Sequence, residues 1–347
     1  MIVVVTGGAG FVGSHIAEHY AKSGHSVRVI DNLSRARLLG RENVTFDFNW
    51  RFLSEMDGVQ LIRGDVRDLD TLIPLVDDAD VVFHTAAQTA VTTSLVDPVP
   101  DFSTNALGTF NVLEAARRAS KKPAVIYCST NKVYGDNVNR IGTIDRGDRY
   151  EFPESFRLGV PETFSTDLCE HTPYGCSKLT GDMYMQDYAG TFGLRTGVFR
   201  MSCIYGTRQF GLEDQGWLAW FAIATILGKP IRIDGDGKQV RDVLFVTDLV
   251  DAYDKFLKSG LDHVVVNVGG GPGNAVPIMH VIELLQEMTG KKSPISYADW
   301  RPSDQKVFVS DIRKAKRVLG WEPKVSVEQG LEKMVEWIQA HKGIFEA

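Results

Sequence analysis

The first thirteen residues constrain the fold more than any other stretch. Ile2-Val3-Val4-Val5 is a short apolar run of strand-forming residues. Thr6-Gly7-Gly8-Ala9-Gly10 follows it, and Phe11-Val12-Gly13 opens a segment of helical period that extends to Ser23. A strand that passes through a few glycines straight into a helix is the start of a dinucleotide-binding βαβ unit. Each glycine answers a physical need: Gly7 permits the tight turn, Gly10 lets the backbone approach a pyrophosphate, and Gly13 lets the helix pack closely on the sheet. The helix start, with the N–H groups around Phe11 and Val12, supplies donors and a positive dipole end to phosphates.

Further apolar runs rich in Val and Ile recur at Ser26–Ile30, Gln60–Arg63, Val81–His84, Ala124–Ser129, Thr196–Arg200 and Val264–Val268. None alternates strictly, as expected of strands covered on both faces. Helix-period segments lie between them, among them Asn105–Ser120 and Tyr174–Phe192. This alternation predicts an α/β fold, a Rossmann-type doubly wound parallel sheet. The rhythm breaks between Asn137 and Thr172, which reads as a long inserted loop. It breaks again after Ile204, where the pattern turns irregular, and after Gly273 it is mostly helical, with Val276–Thr289, Asp311–Leu319 and Val327–His341. We therefore expect residues 1–200 plus 241–272 to form the cofactor domain. Residues 201–240 plus 273–347 should form a smaller, mostly helical C-terminal substrate lobe over the carboxyl edge of the sheet.

A net charge of −6 argues against nucleic acid, which calls for clustered Lys and Arg. No basic amphipathic stretch suits a membrane surface, and the N-terminal apolar run is too short for a signal peptide or a spanning helix. Cys128, Cys169, Cys176 and Cys203 show neither a C-x-x-C pair nor zinc spacing, so we expect reduced thiols, no metal and a cytoplasmic location.

The cofactor site continues along the strand ends. Asp31, with Asn32 beside it, closes the second run; an acid there accepts from ribose hydroxyls and repels a 2′-phosphate, favouring NAD over NADP. Asp65-Val66 ends the third run, where a carboxylate and a following N–H suit an adenine amino group. Thr85-Ala86-Ala87 ends the fourth, where small residues let the cofactor pass close by.

Ser129-Thr130 ends the fifth run, and Tyr174-Gly175-Cys176-Ser177-Lys178 opens a later helix with Tyr174 and Lys178 on one face. Removing a hydride from an alcohol carbon needs a base for the hydroxyl proton, and a free phenol of pKa ~10 is a poor one. A neighbouring ammonium and a nicotinamide cation should draw Tyr174 toward neutrality. Lys178 also suits the nicotinamide ribose, and Thr130 the substrate oxygen.

Taken together, these motifs resemble the extended short-chain dehydrogenase/reductase family over nearly the whole chain. The 4,6-dehydratases of that family carry Asp-Glu directly after the Ser/Thr, one acid for the departing hydroxyl and one base for the C5 proton. Here Asn131 and Lys132 stand in those places, so dehydration is not expected. The strings Ser129-Thr130-Asn131-Lys132-Val133-Tyr134-Gly135 and Arg200-Met201-Ser202-Cys203-Ile204-Tyr205-Gly206-Thr207-Arg208-Gln209-Phe210-Gly211, the latter followed by Glu213-Asp214-Gln215-Gly216-Trp217, look like the family's CDP-paratose 2-epimerase (CDP-tyvelose epimerase) branch. That resemblance implies NAD-dependent inversion at C2 of a CDP-linked hexose, through a 2-keto sugar. Two segments, from Arg241 to Asp248 and from Arg301 to Asp304, match the family's R-D-F-V-x-D and later arginine. They imply a bidentate clamp on the nucleotide-sugar phosphates. Asn131, Cys203, Arg208, Gln209 and Gln215 are the candidates for sugar contacts. A UDP-hexose 4-epimerase, a net dehydrogenase and a non-catalytic NAD-binding regulator are the alternatives. The resemblance also implies a homodimer paired through Asn105–Ser120 and Tyr174–Phe192.

Overall fold

The computed structural model describes residues 1–35, 47–213, 215–301 and 304–346. Seven strands make one parallel sheet, in the spatial order His263–Val268, Thr196–Met201, Ala124–Thr130, Val81–His84, Ile2–Thr6, Ser26–Asp31, Val59–Arg63. Every expected run is a strand, and each is extended by at most a residue at either end. The winding reverses where Ile2–Thr6 lies between Val81–His84 and Ser26–Asp31, with Thr6 level with both His84 and Ile30. Open α/β sheets bind ligands at such a reversal, outside the carboxyl ends of the strands.

The chain divides into two compact units. The first is Met1–Thr130, Pro173–Arg200 and Tyr253–Val265; the second is Asn131–Thr172, Met201–Ala252 and Val266–Ala347. This division departs from the sequence grouping at residues 131–172, 241–252 and 266–272. The strand Val240–Phe245 explains the second difference: it pairs with Cys203–Tyr205, Ala275–Pro277 and Val307–Phe308 rather than with the large sheet.

In the first unit, Val4, Ile30, Val82 and Val125 of the sheet bury against Leu72, Leu75, Val112, Leu113, Ala116 and Met185 of the covering helices. Each fully buried side chain of this kind contributes about 1.5–3 kcal/mol. Helix Phe11–Lys22 follows the glycines as expected. The helix expected over Asn105–Ser120 is instead a π turn, Ser103–Leu107, running into an α-helix, Gly108–Arg118.

The second unit corrects the reading of irregular chain after Ile204. Helix Trp217–Leu227 lies there, then strands Ile231–Asp234 and Val240–Phe245, then helix Val246–Lys258. Trp217–Leu227 is apolar on every face and buries eight of its residues, so it carries no amphipathic period to read. The expected loop from Asn137 is largely irregular, interrupted by the two-residue strands Ile144–Asp145 and Tyr150–Glu151. Helix Val327–Ala340 begins at a capping box between Ser326 and Gln329. Trp321, wholly buried, donates its indole N–H to the Asp248 carbonyl at 2.9 Å.

Candidate active site

The glycine turn in the first unit is built to tight tolerances. Gly7 has φ +67°, and a Cβ there would lie 2.6 Å from the Ala86 Cα and N. A Cβ on Gly13 would lie 2.4 Å from the Gly7 carbonyl and 2.7 Å from the Gly8 Cα, so helix and turn touch backbone to backbone. The end of the fourth strand braces the turn. Thr85 donates its hydroxyl to the Thr6 carbonyl at 2.7 Å, and the Ala86 N–H donates to the Thr6 hydroxyl at 3.3 Å. Thr85, Ala86 and Ala87 stay half-buried. Helix Phe11–Lys22 starts at Gly10 with no side-chain cap and no acid in its first turn. The N–H groups of Phe11, Val12 and Gly13 therefore present a positive helix end.

Asp31 reaches back to this turn. Its carboxylate accepts from the Ala9 N–H at 3.0 Å and from the Leu33 N–H at 2.8 Å, while burial raises its pKa. Asn32 donates to Asp65 at 2.9 Å. Hydrogen bonds from Arg67 hold Asp65 down to about 2, and Val66, buried, offers its carbonyl to Asn111 at 3.0 Å. Sequence reasoning missed Arg67 and Asn111, which fix this strand end from outside the motif. A bare helix end, a close glycine cradle and a carboxylate at the second strand end fit a dinucleotide without a 2′-phosphate.

Tyr174 and Lys178 lie one turn apart near the start of helix Thr172–Phe192. The Tyr174 hydroxyl hydrogen-bonds Thr130, and its backbone N–H donates to Ser94 at 3.2 Å. Thr130, Tyr174 and Lys178 thus come together. The expectation for Tyr174 rests on a bound nicotinamide cation as well as on the ammonium. Burial, the largest cause, pushes the Tyr174 pKa up to about 12, the Thr130 bond opposing. Burial takes Lys178 the other way, down to about 8. Desolvation is the largest influence on both side chains.

One turn beyond Lys178, Asp182 is wholly buried. It accepts from Arg200 at 2.9 and 3.0 Å, from Ser129 at 2.7 Å and from Gln186 at 2.7 Å. This bidentate ion pair locks the helix to strand Thr196–Met201, while the Ser129 bond ties it to the strand that ends in Thr130; removing one partner of such a pair typically costs ~3–5 kcal/mol. His84 is held likewise, 2.8 Å from the Thr6 hydroxyl and 2.9 Å from that of Thr109. The signal for Asp182 was its place two turns after Tyr174 on the same face.

The remaining candidates belong to the second unit. Arg241, buried, pairs with Asp304 at 2.9 Å and donates to the Val240 carbonyl at 2.9 Å. Arg301 pairs with Asp234 and reaches the Glu213 carbonyl at 3.4 Å. Burial lowers the pKa of Lys132, and Asp304, Arg241, Cys203 and Arg301 are the charges and dipoles acting on it. These five residues therefore form one cluster, which the sequence reading had divided among separate motifs. Trp217 donates to the Cys203 sulfur at 3.5 Å, and burial raises that thiol. Asn131 and Arg208 are buried, Arg208 at φ +58°. Gln209 donates to the Ile204 carbonyl at 3.3 Å, and Gln215 pairs its backbone with Leu212. Asp214, Pro302 and Ser303, named in the motifs, lie outside the described residues. Cys128, Cys169, Cys176 and Cys203 form no disulfide, and among the described residues no helix is long and apolar enough to cross a membrane.

A glycine cradle on a doubly wound sheet, with a Thr–Tyr–Lys set at an adjacent strand end, defines a dinucleotide-dependent enzyme acting on an alcohol. The chain matches the NAD dependent epimerase/dehydratase family over residues 3–269, belongs to that family, and is an NAD-dependent isomerase. It is 38% identical to the CDP-paratose 2-epimerase of Salmonella typhi, covering 97% of this chain and 99% of that one. Among solved structures it resembles the UDP-glucose 4-epimerase of Thermotoga maritima with UDP-glucose, at TM-score 0.80 and 31% identity over 99% of this chain and all of that one. It also resembles the UDP-glucuronic acid 4-epimerase of Bacillus cereus in complex with UDP-glucuronic acid and NAD, at TM-score 0.81 and 29% identity over 98% of this chain and all of that one.

Proposed function

We propose that the protein inverts C2 of a CDP-linked hexose of the paratose/tyvelose type, by transient oxidation to a 2-keto sugar and reduction from the opposite face. The observation that carries an alcohol-oxidising site is the Tyr174 hydroxyl bonded to Thr130, one turn from Lys178. The CDP-hexose and the C2 position rest on the 38% identity to a CDP-paratose 2-epimerase over nearly the whole of both chains. Tyr174 takes the proton of the sugar hydroxyl and later returns one. Thr130 orients that hydroxyl, and Lys178 holds the nicotinamide ribose and favours phenolate by its charge. Bound NAD supplies the hydride acceptor, the returning hydride donor and the positive charge that offsets the burial of the Tyr174 phenolate. Gly7, Gly10, Phe11, Val12, Gly13, Asp31, Asn32, Asp65, Val66, Thr85, Ala86 and Ala87 hold that cofactor.

Asn131, Cys203, Arg208, Gln209 and Gln215 line the sugar, while Arg241 and Arg301 take the pyrophosphate. A sugar that must present both faces turns about a firmly held diphosphate, so the guanidinium groups belong on the phosphates. We assign the protein to the cytoplasm as a homodimer. Exposed Phe102, Leu107, Met183 and Tyr184, on or beside the two helical segments expected to pair, support that assembly; a monomeric mass in solution refutes it.

Proton NMR of CDP- and UDP-hexoses in D₂O without added NAD tests the reaction. A C2 epimer free of deuterium at C2 is the expected result. A C4 epimer overturns the position of attack in favour of a UDP-hexose 4-epimerase, a reading that the likeness to UDP-glucose 4-epimerase supports.

A further inference from the structure

Lys178 is a buried cation, only 3% exposed, with an aromatic ring beneath it. Its Nζ lies 4.1 Å from the centroid of Tyr127, a residue of strand Ala124–Thr130 three positions before Thr130. The Tyr127 hydroxyl donates to the Lys178 carbonyl at 3.2 Å. The helix passes so close above it that a Cβ on Gly181 would lie 2.4 Å from that hydroxyl. The ring also stacks with His84, with centroids 5.7 Å apart and planes 24° from parallel. Burial takes His84 down to about 3, so an uncharged imidazole backs the ring.

We propose that Tyr127 is a positioning residue for Lys178, its ring face holding the ammonium charged and in place while its hydroxyl fixes the helix backbone beneath. A ring face stabilises a desolvated ammonium well beyond what it offers at an exposed site. The other groups facing Lys178 are Asp182 on its own helix, Asp101 on segment Pro98–Phe102 and Cys128 on the strand. They favour the ammonium through space, whereas desolvation opposes it. Without the ring, opposition gains and the amine loses its proton at a lower pH.

The inference rests on the reading of Lys178 as a working ammonium, so its test has a readout besides turnover. The ¹³Cε signal of Lys178, assigned against Lys178→Met, is titrated in the NAD-bound protein. Tyr127→Phe keeps the ring and should titrate as wild type, while Tyr127→Leu should titrate lower by about one pH unit. The alkaline limb of kcat should move down with it. A trifluorinated phenylalanine at 127 weakens the ring face without changing its shape appreciably. It should lower the titration in the same direction, which keeps the test open if the leucine variant fails to fold. Unchanged titration in the fluorinated protein, or an equal fall in Tyr127→Phe, overturns the proposal. Normal titration shifts with no epimerisation of any nucleotide sugar would instead overturn the function and leave the contact standing.

Discussion

The two units achieve their chemistry by different means. In the first, side chains are few and the backbone sets the geometry: Gly7 and Gly13 are fixed by contacts of 2.4–2.7 Å that no Cβ would tolerate. Tyr174 and Lys178 gain their character from burial. In the second, long side chains set it: Arg241 is tied to Asp304 and Arg301 to Asp234, pairs separated by more than sixty residues of sequence. A site made of backbone admits no substitution at its contact points, whereas a site made of ion pairs loses affinity in steps.

That contrast is sharpest at Tyr174. Replacing it with Phe removes the hydroxyl bonded to Thr130 and leaves the glycine cradle intact. Turnover should fall by ~10²–10⁴, the range of general acid–base catalysis, with NAD still bound after purification. Full turnover in Tyr174→Phe would show that another group takes the hydroxyl proton and would remove Tyr174 from the reading. Next in size is Gly13→Ala. Its Cβ meets backbone on two sides, so helix and turn must separate, and the overpacking should cost about 1–3 kcal/mol together with the bound NAD. Gly190→Ala is the control. Gly190 lies within helix Thr172–Phe192 with nothing near its would-be Cβ, so the change should stabilise by ~0.5–1 kcal/mol. Thermal melts of both, with NAD content read by absorbance, check the pair. Equal behaviour would remove the claim that backbone contact governs the first unit.

The sequence revealed the first unit more readily than the second for the same reason. Close backbone approach leaves glycines at fixed spacing, so the turn, Asp31 and the strand ends were legible. Both-face burial leaves unbroken Val/Ile runs, so all seven strands were legible too. Helix Trp217–Leu227 was not, because a helix buried all round has no period to detect. Nor were the partners of Arg241 and Arg301, since Asp304 and Asp234 come from remote segments that only the fold assembles. Tyr127 escaped for a third reason: within a strand buried at every position, a tyrosine reads as core, and its role depends on the lysine above it.

The arginines offer the smaller effects, and they differ from each other. Arg241 is 10% exposed along its side chain, and its loss takes the ion pair from Asp304 while relieving Lys132 of a like charge. Arg241→Ala should raise KM for the nucleotide sugar by ~10–100-fold with kcat nearly unchanged, the mark of binding energy spent equally on substrate and transition state. Arg301 is 37% exposed, and water screens its pair with Asp234, so that pair should contribute no more than ~1 kcal/mol to stability. Arg301→Ala should therefore leave the melting temperature almost unmoved and raise KM by less than about tenfold. Its kcat should not fall, because an exposed guanidinium that only anchors phosphate does not share in proton transfer. A kcat loss in Arg301→Ala larger than its KM change would mean that this arginine orients the sugar itself, and the division between a backbone-built and a side-chain-built site would have to be redrawn around it.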